Sequence, residues 1–231
     1  MLRITIGLTA MLFIGAIAAM PLAAATDTPA AQTPTSAKPD DGKIYGCIEG
    51  MEQILPGEYY ACRAKYHFQR EHYRSAVDSL EESAYWANKD AQYSLGLMYF
   101  NGDTPDIPAN RPLGIAWLAL AAERKNPAYM QMYAIARAQS SPEEIKTAGQ
   151  LWQKMRLKYG DKVAGLRALR RFNHEIKPLE DAANSGGILY LNGYSPYPET
   201  ASAIVNNLHA QADKVFDGLV GTVTVGSLQT K

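Results

Sequence analysis

Two cysteines and four histidines are the residues of this 231-residue chain best suited to redox, metal or nucleophilic chemistry. Their spacing argues against most of it. His67 and His72 are five apart, which takes them off a common helical face; no H-E-x-x-H run occurs, and His174 and His209 stand alone. Each histidine therefore reads as an ordinary surface or core residue. The run Gly193, Tyr194, Ser195, Pro196, Tyr197 lacks the closing glycine of a nucleophile elbow, and no serine has a lysine three residues on. Glu81 and Glu82 are adjacent, so on a helix they point apart and cannot share a proton-transfer task. The sequence predicts no catalytic residue, no cofactor and no metal, and a protein that is not an enzyme. Cys47 and Cys62 remain, and their chemistry depends on compartment.

The N-terminus indicates that compartment. Arg3 is a minimal basic start, Ile4 to Met20 an apolar run, Pro21 a break, and Ala23, Ala24 and Ala25 a small-residue cleavage pattern, so 1–25 reads as a signal peptide. The alternative is an uncleaved anchor, since about 17 to 25 apolar residues span a bilayer. No cysteine near residue 25 offers a lipid attachment point. Residues 26–42, rich in Thr, Ala, Pro and Asp without a large apolar side chain, read as a disordered linker. A periplasmic or secreted location follows. If 44–55 and 58–69 are antiparallel helices about Leu55 and Pro56, Cys47 and Cys62 face each other and a disulfide is expected. Closing that loop would stabilise the fold by about 3 kcal/mol in the chain-entropy picture; the alternative is two buried free thiols.

The elements that must carry any function are helical. Between 91 and 128, Ala91, Leu95, Gly96 and Tyr99 recur at helical spacing, with small residues where two backbones would approach and a large ring beside them. Gly102 stops that helix, Pro105 and Pro108 forbid continuation, and Trp117, Ala121 and Ala122 give a second helix a matching stripe. The A-Q-Y-x-L-G-x-x-Y-x-x-G run from Ala91 to Gly102 and the W-x-x-x-A-A run from Trp117 to Ala122 resemble a Sel1-like repeat, a relative of the tetratricopeptide repeat, of the secreted bacterial type. An earlier copy, with helices 58–69 and 72–87, places Ala76, Ser79, Ser83 and Ala84 at a constant offset of 38 from Gly114, Trp117, Ala121 and Ala122. A third, degenerate copy follows, its second helix started by Ser140, Ser141, Pro142, Glu143 and Glu144 and carrying Ile145, Ala148, Leu151, Trp152 and Met155 on one face. No paired small residues follow Trp152, a departure that suits a repeat ending the stack.

The resemblance implies a mainly α fold, a right-handed α-α array over 43–159 whose inner, concave face holds a protein or peptide. That face would take Lys65, Phe68 and Gln69 from the first repeat, Tyr93, Leu97, Phe100 and Asn101 from the second, and Gln131, Ile135 and Gln139 from the third. The alternative is that these side chains pack beneath the chain's own terminal segments.

Residues 160–231 are expected to form a basic helix and a small strand-helix-strand unit. Val163, Leu166, Leu169 or Ala168, Phe172 and Ile176 make its apolar stripe, while Lys154 to Lys177 holds eight Lys or Arg and two acids. Such a run is a solvated helix face, a face paired with acids elsewhere in the fold such as Asp78, Glu81 and Glu82, or a contact for an anionic partner. GILYLN at 187–192 and VGTVTVG at 220–226 read as strands, with a helix opened by Pro198 and Glu199 whose face is Ala201, Ile204, Val205, Leu208, Ala212 and Val215. The long crossover implies a parallel pair. Across the chain, 23 Lys plus Arg balance 23 Asp plus Glu, so no global charge favours nucleic acid or a membrane surface. Membrane association would need an uncleaved signal or the basic helix 162–177. The expectation is a helical-repeat adaptor for an envelope protein or peptide; the alternatives are an enzyme or enzyme subunit with its site in the C-terminal unit, or an envelope-tethered structural protein.

Overall fold

Local signals account for where the helices begin. The computed structural model describes residues 47–194 and 196–219, all in one compact unit; the expected signal peptide, linker and 220–226 strand lie outside them. Helices α1 (Met51–Ile54) and α2 (Pro56–Gln69) precede α3 (Tyr73–Tyr85), α4 (Lys89–Asn101), α5 (Arg111–Ala121), α6 (Pro127–Ala138) and α7 (Pro142–Tyr159). Asn88, Asn110 and Asn126 cap α4, α5 and α6, each side-chain oxygen accepting from a first-turn N–H, Ala91 N at 2.8 Å, Leu113 N at 3.2 Å and Ala128 N at 2.9 Å. Ser141 and Glu144 form a reciprocal capping box on α7. Prolines 56, 112, 127 and 142 sit in first turns, where a missing N–H costs nothing.

The pairs α2 with α3 and α4 with α5 pack closely, and the third pair behaves differently: α6 and α7 lean on α5 rather than on each other. One apolar core joins the array through Ala64, Leu80, Ala84, Leu95, Trp117, Leu120 and Tyr159.

The C-terminal part departs from expectation. A π-helical turn, Asp161–Gly165, leads into α8 (Leu166–Glu175), followed by α9 (Lys177–Asn184), strand β1 (Ile188–Leu189), strand β2 (Glu199–Thr200) and α10 (Ala201–Val215). Among the described residues β1 pairs with β2, antiparallel, Ile188 opposite Thr200; the short loop between them permits a hairpin, so β1 does not need the long crossover. Thr200 Oγ1 caps α10 by accepting from Ala203 N at 3.4 Å, so the helix opens just after Pro198 and Glu199. Its face is as expected up to Ala212, with Val215 half-buried. The wide π turn also rotates Val163 and Leu166 off the stripe; both are exposed, while Ala168, Leu169, Phe172 and Ile176 are buried.

The expected helix 44–55 is, within the described residues, only Met51–Ile54, because Gly50 takes a left-handed φ of 89°. Met51, Ile54 and Leu55 do not pack with the array alone; they share a core with Phe172, Ile176, Ile204, Leu208 and Phe216. Cys47 and Cys62 are joined, with Cα atoms 5.8 Å apart. The bond thus ties α2 to a segment on which the C-terminal helices rest.

Candidate functional site

Side chains of the second repeat close upon their neighbours. A Cβ on Gly114 would stand 2.5 Å from Phe100 N and 2.8 Å from Gly96 O, and one on Gly96 would meet Leu118 Cγ at 2.7 Å. The small residues of the repeat pattern therefore sit where α4 and α5 touch backbone to backbone. Phe100, expected as an exposed anchor, is 4% exposed. Its ring clusters with Ile115, Leu118, Ala136 and Ala148 and lies under the Arg111 guanidinium, 4.2 Å from the centroid. Arg111 is itself held by Glu144 at 2.9 Å and by the Gln139 carbonyl at 2.6 Å. Leu97 is half-buried against the same cluster, and Tyr93 stacks on Tyr129, centroids 4.8 Å apart. Tyr129 donates to Asp90, and burial followed by that hydrogen bond raises its phenol pKa. Helix α6 has thus covered much of the surface that the expected groove required.

The remaining members of that set are on the surface. Lys65 and Gln69 are exposed on α2, as is Phe68, 43% exposed with its ring edge against Tyr73. Asn101 reaches toward Asp103 at the end of α4, and Gln131, Ile135 and Gln139 are exposed along α6.

Charge near the junction is turned inward. Lys89, 8% exposed, donates to the Leu120 carbonyl at 2.7 Å and to Gln92 Oε1 at 3.0 Å, and pairs with Glu123 at 3.0 Å and Asp161 at 3.2 Å. Arg124 pairs with Asp161 at 2.9 Å and donates to the carbonyls of Ala87 and Val215. Fully buried Gln92 donates to the Tyr159 carbonyl at 2.9 Å. With every partner in place, this network locks the second repeat to the start of the π turn and the end of α10.

Open apolar surface lies along α7, bordered by the Glu123 and Asp161 of this network. A groove of about 620 Å³ runs between α5, α6 and α7, floored by Ile115, Ala116, Ala119 and Ala148 and edged by Met130 and Trp152. Gly149 faces it, and a Cβ added there would meet nothing within 4 Å. A second groove, about 700 Å³, shares Trp152 and Glu123 with the first and continues past Leu157, Val163, Leu166 and Leu219. Met130 is 48% exposed and Leu157 70%. These residues are hidden from the sequence pattern because a constant 38-residue offset assumes that each pair closes like the one before. The signal that could have found them is the absence of small residues after Trp152.

The basic run is partly consumed by the fold. Arg167 lies over the Tyr85 ring at 3.6 Å and donates to its carbonyl at 2.6 Å, and Arg171 donates to the Gln53 carbonyl at 2.8 Å. Lys158 supplies the charge near Glu81 and Glu82. Burial, and after it the charge of Asp78, raises the Glu81 carboxyl pKa from its ordinary value. His209 is buried against Phe172 and meets Glu180 at 2.9 Å. Among the described residues no group of three or more His, Cys, Asp or Glu is placed to hold a metal ion, and no helix is long and apolar enough to cross a membrane.

A family model for the Sel1 repeat matches residues 89–126, which spans α4, α5 and the turn carrying Glu123 and Arg124. No curated protein and no solved structure matches the chain.

Proposed function

From the premise that the chain is a Sel1-like repeat protein, we propose that it is a non-catalytic adaptor of the periplasm or the secreted space that holds another envelope protein or peptide. Sel1 repeats generally serve protein–protein interaction and are generally non-catalytic. The extracytoplasmic location is supported by the apolar leader with its Ala-rich cleavage pattern and by the joined Cys47 and Cys62. On this reading 1–25 is removed, 26–42 is a tether, and the partner seats on the described helices.

The observation that carries the choice of surface is the apolar groove of about 620 Å³ that α6 and α7 leave on α5. The face through Tyr93, Leu97 and Phe100 supports docking less well, because those rings are already in contact with α6 and Arg111. The test is a plug. Gly149→Leu puts a side chain into open space on a helix that loses a glycine, so folding should hold while association with the envelope partner falls at least tenfold. Unchanged association would remove the groove from the reading.

A further inference from the structure

Resting on that docking reading, we infer that the partner segment is an acidic amphipathic helix, seated along α7 across both grooves. Three observations lead there. First, the walls are helices, whose backbone groups bond within themselves, so an extended peptide would find no strand edge to join. A helix arrives with its own backbone satisfied and offers only side chains. Second, the apolar strip has the length of one. From Ile145 to Leu157 along α7 is about 18 Å at the helical rise, or three to four turns, with Trp152 shared between the two grooves.

Third, the rim has one sign of charge. The two carboxylates that line the grooves, Glu123 and Asp161, are both taken by Lys89, and Asp161 also by Arg124. The four exposed cations on the same linings, Lys125, Arg137, Arg156 and Lys162, form no ion pair among the described residues. Arg137 and Arg156 stand over the rings of Tyr133 and Trp152 at 5.6 and 5.0 Å, which keeps their charge at the groove edge. An apolar floor with an uncompensated cationic border selects an apolar stripe flanked by Glu or Asp and disfavours one flanked by Lys.

The test uses the full chain without its leader and two labelled synthetic helices of four turns, identical in their Leu stripe, one flanked by Glu and one by Lys, read by fluorescence anisotropy. The Glu peptide should bind at least tenfold tighter, and the preference should shrink when salt is raised to about 0.5 M. Lys125→Glu with Lys162→Glu should reverse the preference, and Gly149→Leu should abolish binding of both. Equal binding of the two peptides, still blocked by Gly149→Leu, would overturn the charge selection and leave the docking reading standing. Binding of neither would overturn the helix as occupant. If binding is absent in the full chain but appears, without charge preference, after truncation at Leu219, the groove belongs to the chain's own C-terminal segment and the inference is also overturned.

Discussion

The second and third helix pairs are built on the same plan and end in opposite states. In the second, Gly96 and Gly114 let α4 and α5 meet backbone to backbone, and Lys89, Gln92, Glu123 and Arg124 fold the local charge inward. In the third, α6 and α7 both rest on α5, Gly149 faces open space, and Met130, Trp152 and Leu157 line accessible apolar grooves. What differs is the placing of small residues: paired glycines close one hairpin, and their absence from α7 leaves the next one splayed. Closure gives a rigid unit, and splaying gives a surface.

The sharpest way to break the comparison is to make one substitution in both pairs. Gly114→Ala drives a Cβ into backbone atoms that cannot move aside, and should cost about 3 kcal/mol or more. Gly149→Ala should be neutral or stabilise by up to about 1 kcal/mol, because it meets nothing and improves helix propensity. Urea unfolding of both variants checks this; equal losses would erase the distinction.

Removing Lys89 is expected to act nearly as strongly. Lys89→Met takes from Glu123 its ion-pair partner and leaves Asp161 with Arg124 alone, for a loss of about 3 kcal/mol. Hydrogen exchange should then show the π turn and the end of α10 loosened together, since both hang on this network. Loosening confined to α4 would mean that it does not join the two parts.

Cys62→Ser should cost about 3 kcal/mol, the entropy of closing its loop in the unfolded chain. Because Met51, Ile54 and Leu55 lie in the core with Phe172 and Leu208, the loss should be felt first in α8 and α10. Protection there that matches the intact protein would contradict that route.

The smallest effect concerns Glu58. Burial, then the nearby charge of Asp90, raises its carboxyl pKa above 4.5, although Asn88 donates to it at 2.8 Å. The folded state thus holds this proton more tightly than the unfolded chain, so the group's contribution is most favourable below the unfolded pKa and is lost as pH rises through the folded value. Glu58→Gln should raise Tm by about 1–2 °C at neutral pH and by nothing at pH 3. A gain of equal size at both would show that charge is not the cause.

The repeat was legible because its pattern is steric: Ala91, Gly96, Trp117 and Ala121 announce a helix-to-helix contact by size alone. The disulfide was legible from the secretory character expected of the N-terminus; the helical hairpin expected to face the two thiols does not form, since Cys47 precedes Gly50 and lies outside α1. Phe100 sits on the face that the family resemblance assigns to a partner, yet Ala136, Ala148 and the Arg111 guanidinium cover it, so the packing of the third helix pair and not the repeat pattern decides its exposure. The packing of Met51 and Leu55 on Phe172 joins residues more than a hundred positions apart, and no local pattern encodes it. Strand β2 is two residues beside a proline, too short to leave a periodicity.

Whether α7 bounds the docking surface can be read directly with a photo-reactive side chain. Benzoylphenylalanine placed at Met130, on the groove edge, and in a separate chain at Phe68, on the expected inner face, would be irradiated in cells producing the intact protein. A partner adduct should form from position 130 and disappear when Gly149→Leu is added, with little adduct from position 68. An adduct from position 68 alone, indifferent to Gly149→Leu, would contradict the assignment to α7 and return recognition to the face of α2.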